Sequence, residues 1–121
     1  MEPLRILYED EHLVVCIKPR GVLSQPSPTE REGDMLSLLR EQLHLADVKP
    51  IHRLDRGVGG VMVFAKTAAA AGKLSCAVAD HSLQKEYLAV IHGAPDPSDS
   101  EMTDLLYHDA CVFMTDFWSH I

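Results

Sequence analysis

Short apolar runs, each bounded by proline or glycine, set the limits on what this chain can fold into. Leu13-Val14-Val15-Cys16-Ile17 runs into Lys18-Pro19-Arg20-Gly21, and Val61-Met62-Val63-Phe64-Ala65 follows directly on Gly59-Gly60. Five apolar residues suit a buried strand and fall far short of the roughly 18 that a membrane span needs. Proline cannot donate to a ladder and glycine permits a turn, so these boundaries are sharp. At 121 residues and 13.4 kDa the chain has room for one domain.

The remaining segments fill in a coarse order. Residues 4–8 read as a strand, and the polar turn Glu9-Asp10-Glu11 joins it to the run at 13–17 as a hairpin. Residues 24–33 are a loop. Asp34 caps a helix in which Met35, Leu38, Leu39, Gln42 and Leu43 share a face, and Pro50 keeps that helix from continuing. Residues 51–55 look extended, 56–60 are a glycine-rich loop, and 61–65 are a buried strand. Thr67 caps an alanine-rich helix over 68–79. Residues 84–91 alternate with both faces apolar, which predicts a central strand. Residues 93–98 break the pattern, and 101–107 suit either helix or strand. The order ββαββαβ predicts an α+β fold with a mixed, mainly antiparallel sheet covered by helices.

The net charge of −7 is unevenly placed. Residues 1–85 hold equal numbers of basic and acidic side chains, whereas 86–121 hold no Lys or Arg and seven acids. A basic face for phosphate must therefore come from the first stretch. Cys16, Cys76 and Cys111 form no C-x-x-C pair, and the seven histidines show no ligand spacing. No metal, disulfide framework or secretory leader is expected, and the thiols suit a reducing, cytoplasmic setting. Gly57-Val58-Gly59-Gly60 lacks the pattern of a phosphate loop.

His52-Arg53-Leu54-Asp55 carries the most chemical information. It puts a carboxylate at the end of an extended segment, beside a guanidinium and just before glycines that leave it uncrowded. A structural Arg–Asp pair ordering a strand end is the plainer account of the same residues.

Three segments taken together resemble the RluA-type RNA pseudouridine synthases. They are Lys18-Pro19-Arg20-Gly21; His52-Arg53-Leu54-Asp55-Arg56-Gly57-Val58-Gly59-Gly60 leading to Val63-Phe64-Ala65-Lys66-Thr67; and Lys85-Glu86-Tyr87-Leu88-Ala89-Val90 with Gly93. The resemblance implies an isomerase that converts uridine to pseudouridine in rRNA or tRNA without a cofactor. It makes Asp55 the catalytic aspartate, and Tyr87 the residue that stacks on the flipped base and accepts a proton. It gives Arg53, His52, Lys18 and Lys85 to the RNA substrate, Lys18 as a phosphate contact or a solvated turn residue and His52 mainly as a loop-orienting group.

The resemblance covers the front of the family's catalytic domain, residues 1–110, and stops before the non-family tail 111–121. The later motif whose arginine or lysine pairs with the aspartate has no counterpart in the tail. With the acidic stretch at 86–121, this predicts an incomplete domain, impaired or inactive on RNA and weak in binding it. The runner-up is a non-catalytic RNA-binding or protein-interaction remnant. A glycosidase-like hydrolase is disfavoured, because no second carboxylate sits in a comparable motif.

Overall fold

Both short apolar runs form strands, and they pair with each other at the centre of the sheet. A computed structural model of the chain describes residues 3–29, 33–94 and 101, with the strand residues 108–109 and 114–115. In chain order the elements are β1 (Ile6–Glu9), β2 (Leu13–Lys18), α1 (Met35–Leu43), β3 (Lys49–Pro50), β4 (Gly60–Ala65) and α2 (Ala68–Ala79). The strands lie in the order β1-β2-β4-β3, and every neighbouring pair is antiparallel. β5 (His108–Asp109) and β6 (Met114–Thr115) form a separate antiparallel pair. Contacts divide the chain into Met1–Gln84 and Lys85–Ile121. No helix of the described residues is long and apolar enough to cross a membrane.

The pleat decides the core. Val14 stands opposite Phe64 and Cys16 opposite Met62, and all four are fully buried. They form one cluster with Met35, Leu36 and Leu39 of α1 and with Val48 and Leu54. Each large apolar side chain so buried contributes about 1.5–3 kcal/mol. Val15, Ile17 and Val63 on the other face are only half-buried, and Val61 is exposed.

Local hydrogen bonds set the element ends as expected. The Asp34 carboxylate accepts from the Ser37 amide at 3.2 Å and its hydroxyl at 2.5 Å, capping α1. The Thr67 hydroxyl accepts from the Ala70 amide at 3.1 Å, capping α2. At the hairpin, Asp10 Oδ1 accepts from the amides of His12 and Leu13 at 2.7 and 2.9 Å, and these bonds hold the Asp10 carboxyl below its usual range.

The α+β architecture with its antiparallel sheet and helices is therefore as read, with two local corrections. Only Lys49–Pro50 joins the sheet before the glycine loop; residues 51–55 are not in a strand, and the Leu54 backbone bonds to the Ser24 hydroxyl instead of a ladder. Proline is accommodated because β3 is an edge strand. The central strand expected at 84–91 is not formed, and Leu88 and Val90 are fully exposed. Alternation records a preference for two covered faces, and it cannot supply the neighbouring strands. The expectations for 95–100, 102–107 and 111–113 and for 116–121 lie outside the described residues.

Candidate active site

Asp55 is exposed on a tight turn, and its two chain neighbours are anchored. Its carbonyl accepts the Val58 amide at 3.0 Å, closing the turn over 55–58. On one side, Leu54 is buried; its amide donates to Ser24 Oγ at 2.9 Å, and its carbonyl accepts from the same hydroxyl at 2.6 Å. On the other side, the Arg56 carbonyl accepts the Gly21 amide at 2.6 Å and Lys18 Nζ at 3.3 Å. Gly21 has φ +92°, which allows its amide to turn towards Arg56. A Cβ on Gly59 would lie 3.3 Å from the Lys18 carbonyl oxygen and 3.4 Å from the Arg20 nitrogen, so glycine fits this approach best. The segment 18–24 and the segment 52–60, separate in sequence, are thus one structural unit.

Lys18 differs from its expected place. It is neither a solvated turn residue nor a surface contact for phosphate: its exposure is 0%, and its ammonium also donates to the Pro19 carbonyl at 3.1 Å. The pleat explains this, since Lys18 shares the inward face of β2 with Val14 and Cys16. Burial lowers the pKa of the ammonium, while the negative charge of Asp55 pulls it back up.

Arg53, Asp55 and Arg56 are exposed and line a cleft of about 320 Å³ with Ser24, Gln25 and Pro26. A second cleft of about 390 Å³ shares Gln25 and Arg53 and adds Pro50, Ile51 and His52. The His52 Nε2 accepts the Val63 amide at 3.3 Å, which ties the start of the loop to β4. Among the described residues no three His, Cys, Asp or Glu side chains stand close enough to hold a metal ion.

The structure thus brings Lys18, His52, Arg53 and Asp55 together in the first unit. Lys85 and Tyr87 belong to the second; both are exposed, Tyr87 at 62%, and neither lies in a strand. Sequence reasoning missed Ser24, whose position in a proline-containing loop carries no signal of burial. The Val14, Cys16, Lys18 alternation was a usable signal that Lys18 points inward.

A family model for RNA pseudouridylate synthase matches residues 12–117. The chain belongs to the RNA pseudouridine synthase family. The human pseudouridylate synthase RPUSD2 is 38% identical over 92 residues, which is 76% of this chain and 17% of that protein. The dual-specificity RNA pseudouridine synthase RluA of Escherichia coli K12 is 36% identical over 96 residues, 79% of this chain and 43% of that one. RluA of Salmonella typhimurium is 38% identical over the same length. These matches put the chain with the RluA-type pseudouridine synthases. It spans less than half the length of each of these relatives. Among solved structures, human RNA pseudouridylate synthase domain containing 4 superposes with a TM-score of 0.53 at 30% identity, over 64% of this chain and 30% of that one. Human RNA pseudouridylate synthase domain containing 1 gives a TM-score of 0.54 at 24% identity, over 66% and 31%, and shares the fold. The pseudouridine synthase match includes both the Lys18 segment and the Asp55 loop, the two pieces that the hydrogen bonds join.

Proposed function

We propose that the Asp55 site isomerises uridine to pseudouridine in structured RNA, rRNA or tRNA. One observation carries this reading: an exposed carboxylate on a turn anchored on both sides, at the edge of a cleft of small-molecule size. In the proposed reaction the target base leaves the stack and enters this cleft. Asp55 attacks the ribose C1′ or stabilises the positive charge that develops there as the N1–C1′ bond breaks. The uracil turns, C5 bonds to C1′, the C5 proton leaves and N1 takes up a proton. Substrate and product have the same atoms, so no cofactor is consumed.

The parts that the family resemblance implies are RNA holding for Arg53 and Lys85, and base stacking and proton acceptance for Tyr87. The setting is cytoplasmic, in keeping with the free thiols of Cys16 and Cys76. The acidic stretch 86–121 weakens RNA binding, so activity is low.

Tritium release from RNA labelled at uridine C5 measures the reaction. The expected result is slow release by the chain that Asp55→Asn abolishes, with RNA affinity held within about threefold, since asparagine keeps the shape and loses the charge. Release that is absent, or equal in parent and variant, overturns the proposal. RNA binding at the cleft without release would instead mark a non-catalytic remnant.

A further inference from the structure

We propose that Ser24 is a positioning residue for Asp55, fixing the carboxylate through the Leu54 backbone; this rests on the reading of Asp55 given above. A hydroxyl has one hydrogen to donate and two lone pairs. Ser24 is 4% exposed, and it uses its hydrogen on the Leu54 carbonyl at 2.6 Å and a lone pair on the Leu54 amide at 2.9 Å. Both bonds go to one residue across 30 positions of sequence. The side chain thus does for Leu54 what a neighbouring strand does for a residue in a ladder.

The carbonyl that Ser24 holds belongs to the peptide joining Leu54 to Asp55. Rotation of that peptide is the motion that would swing the carboxylate across the cleft. The next carbonyl along, that of Arg56, is held by Gly21 and Lys18. With both bonds to Leu54 gone, the turn would be held from one side only, and a displacement of about 1 Å can lower a rate about a hundredfold. Ser24 itself lines the cleft. Its hydroxyl is occupied with backbone, so it acts through Asp55 and not on the substrate. The chemistry is specific to a hydroxyl: alanine would leave both polar groups of a buried residue unsatisfied. Threonine keeps the oxygen and adds a methyl, close to Met62 Sδ, which lies 3.6 Å from Ser24 Oγ.

The test compares the chain with Ser24→Ala and Ser24→Thr, well below the melting temperature of each. Tritium release from C5-labelled uridine RNA and amide hydrogen exchange are read together. Ser24→Ala is expected to lower kcat about tenfold to a hundredfold with KM within twofold. Its Leu54 amide is expected to exchange at least ten times faster while those of Val14 and Met62 stay unchanged. Ser24→Thr is expected to return both readouts to within about fivefold of the parent. A Ser24→Ala kcat within twofold of the parent overturns the proposal, as does a loss confined to KM or one that threonine does not restore. If the parent releases no tritium, the catalytic reading fails on its own. The exchange rates then decide whether Ser24 positions the turn: an unchanged rate at Leu54 refutes it, and selective acceleration there supports it.

Discussion

Replacing Lys18 with methionine is expected to affect activity far more than stability. Methionine has nearly the length of the lysine stem and no charge, so the core on the inward face of β2 stays filled. Two bonds disappear, to the Pro19 carbonyl at 3.1 Å and the Arg56 carbonyl at 3.3 Å, and bonds from a charged donor contribute about 1.5–3 kcal/mol each. Two effects oppose that loss. The Arg56 carbonyl keeps the Gly21 amide at 2.6 Å. Moreover, an ammonium that had to be stripped of water is gone, a penalty of several kcal/mol per ion. The balance is a destabilisation of about 1 kcal/mol, or a fall in Tm of roughly 5 °C. For activity the loss falls on the Asp55 turn, whose Arg56 carbonyl loses the Lys18 bond. A turn loosened by about 1 Å lowers kcat by about tenfold to a hundredfold. The pH dependence has a definite sign. The Lys18 pKa is lowered in the folded protein, so its burial penalty is fully present below that folded value. The penalty fades as pH rises towards the ordinary lysine value of 10.5, because the unfolded chain then binds more protons. The parent should therefore gain stability relative to Lys18→Met across the alkaline range. Thermal melts at neutral and alkaline pH with tritium-release kinetics check both parts. A Lys18→Met variant that keeps kcat within threefold, or whose stability relative to the parent does not fall with rising pH, refutes the argument.

Gly59→Ala should destabilise the protein by about 1–2 kcal/mol, because its Cβ presses on the backbone of Lys18 and Arg20 and overpacking has that magnitude. A melting temperature equal to the parent's would show that the loop yields freely. Of the two described thiols, Cys76 is exposed, and Cys16 is buried with its pKa pushed up to about 11. At pH 8 only about one Cys16 in a thousand is a thiolate, so of these two iodoacetamide should label Cys76 and spare Cys16 in the folded protein, which peptide mass spectrometry reads directly. Labelling of Cys16 at the Cys76 rate would contradict that burial.

The features legible along the chain lie within a few residues of each signal. The Asp34 and Thr67 caps bond to amides three positions on, so the starts of α1 and α2 are visible in the local chain. The apolar runs of β2 and β4 carry their own boundaries in Pro19 and Gly59-Gly60, and the three family motifs mark the catalytic kinship. Tertiary structure decided everything that joins distant segments. Residues 84–91 have strand-like alternation, yet ladder partners come from elsewhere in a fold, and among the described residues none pairs with them. Lys18 looks like a surface cation by residue type, but the register of β2 against β4 turns it inward to the Arg56 carbonyl, 38 positions away. Ser24 looks like an ordinary loop serine and becomes the hydroxyl that secures Leu54. Local propensity reports which backbone conformations are favourable. Which buried polar groups must satisfy one another is settled only when the chain closes on itself, and the placement of Asp55 depends on that closure.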